Sequence, residues 1–236
     1  MAATQTQPIE LHYWPTPNGW KISVYLEECG IPYEPKFVNI GKGEQFRPEF
    51  LAIAPNNRMP AIIDPQGPDG KPISVFESGA ILMYLGRKFG QLYPADDERR
   101  RVEVDEWVMW QMANIGPVMG HNNHFRHYSA NKAPYAVQRF EDEAHRLYGV
   151  LDTRLATRDY VAGGAYSIAD IMIACWMRVP DRAGIDIGEF PHVARWREAL
   201  LARPAFKRGM ALGAEFRGDL AKDKEAQKIL FGQRAR

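Results

Sequence analysis

Asn56-Asn57-Arg58-Met59-Pro60-Ala61-Ile62-Ile63, followed by Phe76-Glu77-Ser78-Gly79-Ala80-Ile81, is the most informative run in the chain. It reads as two short strands feeding a helix whose first turn carries an acid and a hydroxyl. A helix start leaves backbone N–H groups unpaired and partly positive, so it suits a carboxylate. Pro60 heads an apolar run and has no N–H to give to a sheet ladder. The preceding backbone is therefore free to pair with something other than a strand. Taken singly these are a hairpin and a helix cap; their order gives them meaning.

Working outward, Ile9 to Trp14 alternates as a strand does, with Leu11 and Tyr13 opposing Glu10 and His12. Pro15-Thr16-Pro17-Asn18-Gly19 reads as a turn, and Lys21 to Cys29 has helical spacing through Ile22, Tyr25 and Leu26. Gly30 stops that helix. A second strand is predicted over Tyr33 to Ile40 and a helical turn over Arg47 to Leu51. Met59–Asp64 and Ile73–Phe76 form a strand pair around residues 65–70, and Ser78 to Phe89 a closing helix. The order is β-α-β-α-β-β-α.

Beyond Tyr93-Pro94 the strand patterns stop. Residues 97–120, 134–157, 167–179 and 191–203 carry helical periodicity, with Pro134, Ser167 and Pro191 near three of the starts. Ser167-Ile168-Ala169-Asp170 matches a capping box with Asp in the usual place of Glu. An α/β part followed by an all-α part predicts two packed domains, at 8–92 and 97–217, with a charge-rich C-terminal extension at 218–236.

Composition narrows the function classes. A chain of 236 residues with a formal net charge of +1 lacks the basic balance of a general nucleic-acid binder. Residues 1–8 are polar and read as no secretory leader, and the apolar run Ile171–Met177 is far too short to cross a bilayer. With only Cys29 and Cys175, both inside apolar helical patterns, no disulfide framework is expected, and the cytoplasm is the predicted compartment.

With these motifs in place, the chain resembles the soluble glutathione transferases over nearly its whole length. That family joins a thioredoxin-like N-terminal domain to a helical domain. Met59-Pro60 is similar to its cis-proline element, Glu77-Ser78 to its γ-glutamyl site, and Ser167–Asp170 to its helix-start motif. Pro15–Gly19, Gly41–Phe50, Pro55–Ile62, Asn123-His124-Phe125 and Pro134–Arg139 further resemble the bacterial nu class. Arg58 where lysine is common, Asn122-Asn123 in a histidine-rich stretch and the longer tail depart from that class. The resemblance implies a homodimeric, glutathione-dependent disulfide-bond reductase with two glutathiones per active site and weak peroxidase activity. Conjugation of electrophiles, or a non-catalytic glutathione-fold binding protein, are the alternatives. Trp107, Met109, Trp110, Met112 and Met119 are candidates for the apolar pocket that conjugation requires, although such stripes also build cores.

No thiol stands in the turn after the first strand. Thr16 does not ionise near neutral pH, yet its hydroxyl and the N–H of Asn18 can donate to a glutathione thiolate and favour its ionised form. Both could equally serve to shape the turn. Tyr13 shares the strand face of Leu11 and is assigned to the core, while Cys29 and Cys175 read as packed, inert thiols. The resemblance implies that Glu77 and Ser78 hold the γ-glutamyl amine and carboxylate, and that the Met59 backbone pairs with the cysteinyl residue. Gln45 and Arg58 would meet the glycyl carboxylate. Arg139 is the candidate for a second glutathione or an acidic substrate group, in competition with an ion pair to Glu143 one turn on. His121, His124 and His127 recur every third residue without a completing carboxylate or thiol, so no metal is expected. Gly41-Lys42-Gly43 lacks the spacing of a phosphate loop.

Overall fold

Strand β1 (Ile9–Tyr13) sits at the centre of the N-terminal half because every second residue is apolar: Ile9, Leu11 and Tyr13 are fully buried. The computed structural model describes residues 5–218 and 220–233; residues 1–4, and residues 219 and 234–236 of the predicted C-terminal extension, lie outside it. β1 pairs in parallel with β2 (Tyr33–Phe37) and antiparallel with β3 (Ala61–Asp64), which pairs with β4 (Ile73–Phe76). The sheet order is β2-β1-β3-β4, so Leu11 faces Pro35 on one side and Ile62 on the other. This is the thioredoxin-like mixed sheet.

A parallel pair needs a crossover, supplied by α1 (Pro17–Cys29). The sequence reading began this helix at Lys21; it begins at Pro17, because Thr16 caps it through Gly19 N–H and Pro17 takes the first position, where no N–H is needed. Gly19 is no turn residue. A Cβ there would stand 2.3 Å from Trp14 O, so glycine lets the helix start lie against the strand. Gly30 ends α1 at φ 64°. β2 stops at Phe37, short of the predicted Ile40, because Asn39 caps a 3₁₀ turn over Ile40–Lys42. The short α2 (Pro48–Leu51) precedes β3, and α3 (Ser78–Phe89) follows β4.

The second half is all helical: α4 (Glu98–Trp110), α5 (Gly116–Asn123), α6 (Pro134–Leu155), α7 (Ile168–Met177), α8 (Pro191–Ala202) and α9 (Pro204–Ala211). The helix predicted over 97–120 is interrupted by a π-helical turn at Gln111–Ile115. Pro117 lies just beyond it and cannot donate to the preceding turn, which accounts for the break in the regular ladder. Helix α9 was not anticipated. Its Gly209 crosses α1 at backbone contact, where a Cβ would lie 2.5 Å from Val24 Cα, and Ser23 Oγ donates to Gly209 O at 2.7 Å.

Helix α7 is the centre of this half, with every residue but Trp176 buried. The predicted capping box forms. Asp170 is completely buried and accepts four bonds, from Val161 N–H (2.9 Å), Trp196 Nε1–H (2.9 Å), Ser167 N–H (3.0 Å) and Ser167 Oγ–H (3.0 Å). Burial pushes its pKa up to about 6, and the four donors oppose that rise, leaving it ionised at neutral pH. One continuous core runs from Ile9 on β1 to Phe206 on α9, spanning both halves.

The tail returns to the body. Helix α10 (Lys224–Phe231), capped by Asp223, packs on the 3₁₀ turn at Ile40–Lys42, and its Phe231 ring meets His124 at 4.6 Å. Among the described residues no helix is long and apolar enough to cross a membrane.

Replacing Asp170 by alanine strands the buried Trp196 and Val161 donors together. Urea titration should show a loss of about 3 kcal/mol, with the far-ultraviolet spectrum of the folded protein unchanged.

Candidate active site

Two helix starts converge beside the sheet. α1 begins at Pro17 directly after β1, and α3 begins at Ser78 directly after β4, so both N-termini lie at the same end of the α/β half. The residue before α3, Glu77, has φ 67° and ψ 118°, a left-handed conformation that costs a non-glycine residue roughly 1–3 kcal/mol. This geometry leaves Glu77 exposed and turns Ser78 inward, where it is 4% exposed. Asn56 Nδ2 donates to Glu77 Oε1 at 3.2 Å. The Met59–Pro60 peptide is cis.

Around these residues lies a cavity of about 250 Å³. Met59, Pro60, Glu77 and Ser78 form one part of its wall, Asn18 and Met112 another, and the exposed Asn56 and Arg58 also line it. A larger cavity of about 750 Å³ adjoins it. Thr16 lines the larger one, and its Oγ1 stands 3.5 Å from the sulfur of Met59, which lines the smaller. The N-terminus of α1 is thus the partition between two spaces.

Asn18 occupies the second position of α1, where a backbone N–H has no intrahelical acceptor. Its side chain is fixed as well: Oδ1 accepts from Trp176 Nε1–H at 3.0 Å, and among the described residues Nδ2 has no protein partner. Sequence reasoning anticipated the backbone donor and missed the amide, because the tryptophan that aims it is 158 residues away.

The large cavity joins both halves and the tail. Trp14, Trp20, Trp176, Tyr128 and Phe216 give it aromatic surface, and Asp223, Ala226 and Leu230 of the tail contribute to its wall. Arg178, Arg182 and Arg217 line it without a carboxylate ion pair among the described residues. Arg178 lies over the Trp20 ring at 4.4 Å; desolvation, and then repulsion from Arg217, lower its pKa. Such a cluster of like charge, half-buried at Arg178 and exposed at Arg182 and Arg217, favours an anion. Sequence reasoning missed it, since Arg178 and Arg182 follow α7 whereas Arg217 comes from beyond α9.

Other predicted residues fall elsewhere. Gln45 is buried, 1% exposed, and lines neither cavity; its Nε2 donates to Ile40 O at 3.2 Å and its Oε1 has no protein partner. Arg139 also lines neither cavity. It is exposed on α6 and pairs with Glu143 at 3.6 Å, the competing contact read from the sequence. Of the five candidates for an apolar pocket, Met119 lines the large cavity and Met112 the small one. Trp107 and Trp110 instead pack on each other at 4.9 Å, and Met109 faces solvent. His121 stacks on Phe140, His124 packs on Phe231, and His127 bonds Arg182 O.

Both thiols are unreactive by environment. Burial pushes Cys29 up to about 11 and Cys175 up to about 12, although Cys175 contributes to the wall of the large cavity. Tyr13 is fully buried, its hydroxyl donating to Leu212 O at 3.2 Å, and burial raises its pKa.

One residue at the site had been passed over entirely. Lys21 is completely buried on α1, and its Nζ donates to Ser78 Oγ at 3.0 Å and to Gln111 Oε1 at 2.7 Å. In sequence it looks like the polar face of a helix; only the approach of α3 and the π-turn covers it.

A thioredoxin-like sheet, an all-helical second half and a cleft at the α1 and α3 N-termini define the glutathione transferase fold. Two family models match: the glutathione S-transferase N-terminal domain over residues 8–87 and the glutathione S-transferase C-terminal domain over residues 111–204. The chain belongs to the glutathione S-transferase family, and it is an enzyme. It is 46% identical over 198 residues to the disulfide-bond oxidoreductase YfcG of Escherichia coli K12, covering 84% of this chain and 92% of that protein. A glutathione transferase from Burkholderia graminis, crystallised with two glutathione molecules per subunit, superposes with a TM-score of 0.83 at 44% identity, covering 89% of this chain and 90% of that one. A Pseudomonas putida glutathione transferase with one glutathione disulfide per subunit gives 0.83 at 39% identity, covering 89% and 94%.

At pH 7.5 the native protein should react with an aromatic disulfide thiol reagent far more slowly than free cysteine does, releasing both thiol equivalents only after denaturation. Rapid native modification of Cys175 would contradict the environment described for it.

Proposed function

We propose that the enzyme is a glutathione-dependent disulfide reductase in which the reacting sulfur belongs to bound glutathione. The observation that carries this reading is the partition at α1: Thr16 and Asn18 offer donors between two cavities, and no protein thiol ionises near them. One glutathione occupies the smaller cavity. Its γ-glutamyl carboxylate is received by Ser78 and the α3 N-terminus, its ammonium by Glu77, its cysteinyl backbone by Met59 and its glycyl end by Arg58. Gln45 would meet the glycyl end only with its amide turned over, since Nε2 now donates to Ile40 O and the free Oε1 is an acceptor.

With Thr16 Oγ–H and Asn18 donating to it, the glutathione sulfur is held as the thiolate. It attacks one sulfur of a substrate disulfide; the S–S bond breaks, a mixed disulfide forms and one substrate thiolate leaves. A second glutathione thiolate attacks the glutathione sulfur of that mixed disulfide, giving glutathione disulfide and the second substrate thiolate. The two departing thiolates take up the two protons that the glutathiones lost. The enzyme contributes proximity and thiolate stabilisation. The arginine-lined space of about 750 Å³ is large enough for the second tripeptide or an acidic disulfide. The same thiolate would reduce a hydroperoxide slowly, two glutathiones yielding the disulfide, an alcohol and water.

Similarity to YfcG and to structures holding two glutathiones or glutathione disulfide supports the reading. The aromatic wall of the larger cavity favours conjugation of apolar electrophiles as a second activity. A chloronitrobenzene that outpaces every disulfide would make conjugation the main one. Unpaired Cys29 and Cys175 fit a reducing cytoplasm. The exposed Val102 and Met109 of α4 and Tyr135 of α6 provide apolar surface that a homodimer would cover. Arg139, on α6 with Tyr135, would then serve an anion only from that surface.

Reduction of 2-hydroxyethyl disulfide by the Cys29→Ala/Cys175→Ala double variant should proceed at close to the wild-type rate. A folded but inactive double variant would overturn the mechanism. Thr16→Val should lower kcat/KM about 30-fold, the worth of one charge-assisted bond of about 2 kcal/mol, while Thr16→Ser retains most of it.

A further inference from the structure

Lys21 is a buried amine with no carboxylate in contact with it. Its side chain has no exposed surface, and its three polar neighbours are neutral: Ser78 Oγ at 3.0 Å, Gln111 Oε1 at 2.7 Å and Met112 Sδ at 3.8 Å. Among the described residues no aspartate or glutamate forms an ion pair with it. An ammonium taken from water without a paired charge is costly, so such a site is maintained by something besides packing. Two of its neighbours, Ser78 and Met112, line the small cavity. A single hydroxyl therefore separates the amine from whatever binds at the α3 N-terminus.

From these positions we propose that Lys21 is the counter-charge for the carboxylate of the ligand, acting through Ser78, and that filling the site draws a proton onto it. Lys21 is a positioning residue, since it reaches the ligand only by way of the serine. The inference rests on the glutathione reading given above and deepens it: ligand binding becomes linked to proton uptake at neutral pH.

The groups acting on the amine come from every element packed around it. Glu77, before α3, favours the ammonium; Cys175, on α7, would do so only as a thiolate, and burial holds it up to about 12. Gln111 and Met112 of the π-turn bring no charge. Desolvation outweighs these influences and brings Lys21 down to about 7 in the empty site. At pH 8 the free amine is therefore mostly neutral. A carboxylate placed on Ser78 favours the charged form and raises that value. Between pH 7 and the raised value, binding must take up a proton, and affinity must fall as pH rises; below pH 6 both effects vanish.

S-methylglutathione is the suitable probe because it has no thiol to ionise. Calorimetric titration of the full chain at pH 8, in two buffers of different ionisation enthalpy, should show uptake of close to one proton per subunit; at pH 5.5 it should show almost none. Lys21→Met, a substitution of similar volume, should bind with no proton uptake at either pH and about tenfold more weakly at pH 6, a loss of one buried charge contact. Wild-type binding at pH 8 with no proton exchanged overturns the inference and leaves the glutathione site standing. Failure of the probe to bind at any pH removes both. Should Lys21→Met not fold, the wild-type proton count in the two buffers decides by itself.

Discussion

The amine of Lys21, held between Ser78 of α3 and Gln111 of the π-turn, is the contact on which the geometry of the smaller cavity depends. It joins the helix that follows β1, the helix that follows β4 and the first long helix of the C-terminal half. No apolar side chain could make the same three-way connection with direction. Because hydrogen bonds fix angle as well as distance, the N-termini of α1 and α3 are held in register with each other. The cavity between them is consequently a fixed feature, with its polar groups oriented before a ligand arrives.

Asp170 plays the matching role deeper in the helical half. Its carboxylate ties the start of α7 to the loop at Val161 and to Trp196 of α8. With that helix anchored, Trp176 near its other end is positioned to bond Asn18 across the domain boundary. The chain of contacts from Asp170 through α7 to Trp176 thus reaches the partition between the two cavities. Packing in the helical half sets the direction of a donor in the α/β half, which is why neither half alone completes the site.

Much of this was legible in the amino-acid order, for reasons that can be named. Alternation put Tyr13 in the core, Ser167 and Asp170 announced a helix start, and Met59-Pro60 with Glu77-Ser78 marked the smaller cavity. The misreadings share one cause. Gly19 looked like a turn residue and Lys21 stood out only as the start of a helical pattern, because local pattern contains no record of what packs on a helix face. The break at Gln111–Ile115 was hidden by continuous helical periodicity on both sides. Arg139 drew attention through its chemistry, but its surroundings place it beside Glu143.

Sequence by itself determined the strand and helix order of the α/β half, the capping box at Ser167–Asp170 and the absence of a thiol from the turn after β1, because these follow from periodicity, capping chemistry and composition. Tertiary structure alone decided which groups meet at the partition: the amide of Asn18 aimed by Trp176, the three arginines gathered round one space, and the lysine deprived of water behind Ser78. Those properties depend on distance and burial between segments remote in the chain. A residue's charge and hydrogen-bonding state are set by what surrounds it, and that is known only once the chain has folded.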